Sequence, residues 1–184
     1  MASILPFDEL NRFADRVRER YGKDPLPSAD EEDIIDELLD LLLLAYAMGN
    51  SVTNSNLSSD YAPDVDAVMK VVDAKVAGKT WRDRSEEYFK NGGTVDDIIR
   101  IAETEAHRIA NTAALDTAQR AGAKTKTWVT MLDDRVREQH EWLEGVTVGI
   151  DEDFYTDDGD HASAPGLFTM AENNVNCRCE LIFS

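Results

Sequence analysis

The chain has 184 residues, of which 42% are hydrophobic and 30% charged, and carries a formal net charge of −18. That balance is globular and excludes wholesale disorder. A field of that sign repels phosphate, which argues against the chain as a whole being a bulk nucleic-acid binder.

Read in chain order, the first half is helical. From Asp8 to about Tyr21 the apolar residues Leu10, Phe13, Val17 and Tyr21 recur three and four apart, the spacing of one buried helix face. Gly22, Pro25 and Pro27 break this helix. A second is expected to start at Ser28 or Asp30, with acids in its first turn, and to end at Gly49-Asn50. Its Leu38–Met48 part is apolar nearly all round and must be buried, in this core or against another subunit. Ser51–Ser59 reads as a polar loop. Further helices are predicted over Asp64–Val76, from Thr80 through Tyr88 to Gly92-Gly93, and from Thr94 to about Arg120. The last is taken as the longest. Its face of Ala102, Ala106, Ile109, Ala110, Ala113 and Ala114 is small enough for another element to approach closely, which predicts a central position.

The pattern then changes. Lys124–Leu132 alternates and is rich in Thr, Trp and Val, as a strand is. Asp133 or Asp134 is expected to cap a short helix through His140 to Leu143. Val146–Ile150 and Cys177–Phe183 read as strands, and Asp151–Asn174 as mostly loop. Trp81, Trp128, Trp142 and Phe154 are expected in the core. The organisation implied is α+β: a helical region over 1–92, packed on a small, mostly antiparallel sheet from the C-terminal third, within a second region over 93–184.

MASILPFDEL has no basic n-region, so no signal peptide is read, and Leu38–Leu44 is far too short for a membrane span. A cytoplasmic product is expected, its two cysteines reduced unless they bind metal. Walker, dinucleotide-binding, nucleophile-elbow and His-Glu-x-x-His motifs are missing. The chemistry-bearing residues gather late: Asp133, Asp134, Arg135, Arg137, His140, His161, Asn176, Cys177, Arg178 and Cys179. Cys177 and Cys179 could offer two thiolates to zinc, with His140 and His161 completing a structural site. Otherwise they are a reduced pair packed on one face of a strand. A hydrolase with Cys177 as nucleophile and His140 as base is a further alternative. Arg120, Lys124, Lys126, Arg135 and Arg137 form a locally basic patch, the place where DNA would touch unless those cations pair internally.

The order Lys126-Thr127-Trp128, Asp134-Arg135-Val136-Arg137, His140, Leu143, Gly145, Phe154, Pro165 and Asn176-Cys177-Arg178-Cys179 resembles the C-terminal domain of Mu F-like phage minor head proteins. The upstream helix, with Thr104-Glu105, Asn111, Ala113-Ala114 and Gly122, is similar too, so the resemblance spans about Asp97 to Leu181. It implies a structural job and no enzymatic one. The expected role is a minor capsid component in head morphogenesis, DNA packaging or delivery, present in the virion and in the host cytoplasm during assembly. It would work through contacts with portal, capsid or scaffold proteins. A zinc-stabilised interaction module is the alternative from another class.

Overall fold

The computed structural model describes residues 4–22 and 31–184. The expected break at Pro25 and Pro27 and the caps Ser28 and Asp30 lie outside these residues. The first helix, α1 (Phe7–Tyr21), buries Phe13, Ala14, Val17 and Tyr21, the stripe its spacing predicts. In the second, α2 (Glu31–Leu57), residues Leu38, Leu41, Leu42, Ala45 and Tyr46 are buried in this chain's own core, whereas Leu44 and Ala47 of the same apolar segment are exposed.

This second helix does not stop at Gly49-Asn50; it continues through most of the segment read as a polar loop. The reason lies in what the side chains do. A Cβ on Gly49 would sit 2.2 Å from the Ala110 carbonyl oxygen, so glycine is there to let two helices touch. Asn50 Nδ2 donates to Thr117 Oγ1 at 2.8 Å, and Asn54 Nδ2 donates to the Tyr61 carbonyl at 2.8 Å. Residues that usually punctuate a helix here fasten it to its neighbours.

Asp64 caps α3 (Val65–Val72), which ends earlier than expected. Thr80 with Asp83 and Thr94 with Asp97 form reciprocal capping boxes that start α4 (Trp81–Lys90) and α5 (Val95–Arg120). With 27 residues against 26, α2 and not α5 is the longer helix. The small face of α5 is buried as predicted: Ala102, Ala106, Ile109, Ala110, Ala113 and Ala114 are all fully covered.

Three strands make an antiparallel sheet in the order β2-β1-β5, from β1 (Thr125–Val129), β2 (Thr147–Gly149) and β5 (Glu180–Phe183). A second antiparallel pair, β3 (Phe154–Tyr155) and β4 (His161–Ala162), and a one-turn helix, α7 (Ala171–Asn174), occupy the stretch expected to be loop. Both cysteines precede β5 and are not part of it. The other short helix, α6 (Glu138–Glu141), starts after Arg137; Asp133 and Asp134 lie in the turn before it and do not cap it.

The α+β architecture is therefore present, with two apolar clusters. The larger joins α1, α2, α3, α4 and α5. The smaller is built on Leu115, Trp128, Phe154, Phe168, Cys177, Cys179 and Leu181. Trp81, Trp128 and Phe154 are core residues as expected, whereas Trp142, just past the single turn of α6, is 67% exposed.

A buried polar row runs beside the apolar face of α5. Arg108, itself buried, donates Nε to Glu105 Oε2 at 2.8 Å, and its Nη groups reach the Val71 and Val72 carbonyls at the end of α3. Arg84 of α4 pairs with the other Glu105 oxygen. These bonds satisfy charges that would be costly to bury alone and tie α3 and α4 to α5.

Gly49→Ala tests the helix crossing. Alanine raises helix propensity, but its methyl meets backbone that cannot swing away. The expected result in urea denaturation is a loss of about 1–3 kcal/mol. A variant as stable as the parent would contradict the close crossing.

Candidate functional site

The structure brings most of the late polar residues together around the turn before β5. Asn176 takes a left-handed conformation, φ 58°, which Asn tolerates better than most residues. That turn sends Cys177 and Cys179 toward His140 and Arg178 toward Asp133. Arg178 forms a two-bond fork with Asp133, Nη1 to Oδ2 at 2.9 Å and Nη2 to Oδ1 at 2.6 Å. This pairing, helped by the Arg135 backbone N–H, holds the Asp133 carboxyl down at about 2. Arg137 donates to the carbonyls of Asn173 at 2.9 Å and Val175 at 2.6 Å, clasping the end of the short helix Ala171–Asn174 that leads into the turn. Asp134 and Arg135 are exposed.

The two thiols meet His140. Both Sγ atoms lie 3.5 Å from His140 Nδ1, and all three residues are buried. The imidazole is fixed by aromatic walls: it stacks on Phe168 at 5.4 Å and meets the edge of Trp128 at 5.4 Å. Its Nε2 is buried and has no hydrogen-bond partner, so Nδ1 is the ring's only polar outlet. Within the thiol pair, Cys179 donating to Cys177 pulls the Cys177 value well down. The same contact and burial push Cys179 up.

His161 is not in this group. It lies at half exposure on the hairpin, with Nδ1 2.9 Å from Asp153 Oδ2 and its ring stacked on Tyr155. Four residues spaced along the sequence thus resolve into a three-residue cluster and a separate surface histidine.

From the other side α5 holds the same segment. His107 Nε2 lies 2.8 Å from the Cys179 carbonyl, and Asn111 Nδ2 donates to that carbonyl at 3.2 Å. Gly166, at φ 87°, passes so close that a Cβ would sit 2.9 Å from Arg108 Cα. The sequence gives no local sign of the pairing of His107 and Asn111 with Cys179, because their partner lies 72 and 68 residues away.

A second organising group, Asp160, has no local signal in the sequence that sets it apart from the neighbouring acids. It is 1% exposed, and its carboxylate accepts from the Thr169 N–H and hydroxyl, the Met170 N–H and Asn173 Nδ2. Burial alone would raise its pKa, but these donors outweigh burial and hold it below the ordinary carboxylate range.

The basic patch does not form a continuous surface. Lys126 is fully buried on the inner face of β1, donating Nζ to the Ser163 carbonyl at 2.8 Å beneath Phe154. Arg137 is engaged with carbonyls, and Arg120 with Asp116 and the Tyr61 ring. Strand alternation decides the case of Lys126: it shares a face with Trp128.

The family model described as Phage Mu protein F like protein matches residues 50–182. The chain belongs to this Mu F-like family. Among curated proteins it is similar to minor head protein GP7 of Bacillus phage SPP1, 38% identical over 85 residues, or 45% of this chain and 28% of that protein. It is also similar to the NAD(+)--arginine ADP-ribosyltransferase EFV of Enterococcus faecalis, 36% identical over 88 residues, or 46% of this chain and 18% of that protein. The matches thus span less than a third of either relative's length. No solved structure matches. Among the described residues, no helix is long and apolar enough to cross a membrane.

Asp160→Asn tests the hairpin anchor. A depressed folded value means that Asp160 contributes its full stability above the unfolded carboxylate value, near about 4, and loses it as pH falls through the lower folded value. At neutral pH the variant should be less stable by about 2 kcal/mol or more, since charge-assisted bonds are lost. The gap to the parent should narrow on acidification below about pH 4. Parallel stability profiles would contradict the assignment.

Proposed function

We propose that this Mu F-like protein acts in phage head morphogenesis as a minor head component that binds portal, capsid or scaffold proteins, without enzymatic activity of its own. It would join the head in the host cytoplasm and stay with the virion. The observation that carries the reading is the family match over residues 50–182, supported by the likeness to a minor head protein. The ADP-ribosyltransferase likeness touches only 18% of that protein, a share too small to bring its activity to this chain.

The surface fits protein contact better than nucleic acid. The chain is strongly acidic, and its basic residues are dispersed or buried. Leu132 and Trp142 are 77% and 67% exposed. Their segments are joined by the Thr130 N–H to Glu144 and the Gly145 N–H to the Trp128 carbonyl. Exposed Trp is a common anchor of protein interfaces. Neither DNA packaging nor delivery needs a direct DNA contact in this scheme.

A cysteine hydrolase remains poorly supported by the same geometry. Cys177 is buried, and Cys179 stands at the same 3.5 Å from His140, so no single thiol is singled out by the base.

Co-expression with the portal, major capsid and scaffold proteins of the same phage tests the proposal. The expected outcome is co-purification with at least one of them and presence in assembled heads. Trp142→Ala should weaken capture without lowering the melting temperature. Absence from heads together with failure to co-purify with any of the three would overturn it.

A further inference from the structure

We propose that His140, Cys177 and Cys179 form a buried three-ligand site for a soft divalent cation, zinc above all, whose fourth position is taken by water. The argument begins with spacing. In a tetrahedral site, a thiolate at about 2.3 Å and an imidazole nitrogen at about 2.0 Å from zinc stand about 3.5 Å from each other. His140 Nδ1 lies 3.5 Å from each sulfur. Two thiolates around the same ion stand about 3.8 Å apart, and the three ligand atoms here are all within 4.8 Å of one another.

Hydrogen bonding would use the imidazole nitrogen for only one of the two thiols. A neutral imidazole nitrogen offers one lone pair in the ring plane, and it can accept one S–H. Two sulfurs nevertheless sit at equal distance from it. A cation at the centre uses all three lone pairs at once. It also solves the charge problem: two thiolates neutralise a divalent ion, so the cluster buries no net charge.

Position and surroundings agree. The three side chains border a common cavity of about 10 Å³, whose wall also includes Met131, Arg137 and Asn176. That is about the space one water needs. His140 is held by Phe168 and Trp128, and the Cys179 carbonyl by His107 and Asn111, so the triangle is preformed by contacts that do not involve the metal. On binding, the two thiols give their protons to solvent and each sulfur donates a lone pair to the ion. His161 takes no part.

The test uses the full chain purified without chelator, then stripped and titrated with Zn²⁺ and with Co²⁺. The expected result is about one metal per chain by elemental analysis. The Co²⁺ form should show the thiolate charge-transfer absorption and strong visible bands of a tetrahedral site. Cys177→Ser and Cys179→Ser should each abolish the equimolar binding, and His161→Ala should leave it intact. The Co²⁺ spectrum of the parent chain decides independently of how the serine variants fold. A parent with no metal above background and no charge-transfer band overturns the proposal, as does binding that persists in both serine variants or disappears in His161→Ala.

Discussion

Everything else in this fold leans on one helix, α5, and on its ability to be approached from several sides at once. Ala102, Ala106, Ala110, Ala113 and Ala114 leave its surface nearly bare, so α2 closes to backbone contact at Gly49. Close-packed interiors tolerate little change of volume at such a crossing. Beside that bare face runs a polar row whose members reach distant partners: Arg108 the end of α3, Glu105 Arg84 of α4, and His107 and Asn111 the carbonyl of Cys179. One face of α5 therefore assembles the helical half, and a neighbouring one positions the C-terminal signature.

This arrangement explains why the residues on which the family resemblance was read look like an active site in sequence and behave as fasteners in space. Trp128 fills the smaller core, Arg137 clasps two carbonyls, Arg178 forks onto Asp133, and Asn176 makes the left-handed turn. Among the described residues, His140 and the two cysteines are the one group of this kind whose atoms stand close enough to hold a metal ion. A small sheet of short strands has limited apolar area to bury, and a crosslink through a cation is a common way for such a unit to gain stability.

Much of the fold was legible because its signals are local. The Thr80 and Thr94 capping boxes, the stripe of α1 and the small face of α5 are each written within a few residues. The misreadings share a different cause. Gly49-Asn50 has the composition of a helix end, but its meaning depends on Ala110 and Thr117 in another helix. Lys126 counts as surface charge until strand alternation places it inward with Trp128. His161 was grouped with the cysteines on residue type alone, and the hairpin carries it to Asp153 instead. Asp160 is, by sequence, one acid among several in an acidic loop; only the fold brings its donors Thr169, Met170 and Asn173 to it. The family resemblance was readable because it rests on an ordered set of residues, each weak alone.

If α5 is the shared wall of both clusters, the helical half and the sheet should unfold as one unit. Native-state hydrogen exchange under increasing denaturant measures this directly. The account predicts that amides of α5 from Ile98 to Ala118, of α2 around its crossing, and of β1 and β5 merge into a single opening at the global unfolding free energy. A separate, lower-energy opening in which β1 and β5 lose protection while α2 and α5 keep theirs would contradict it.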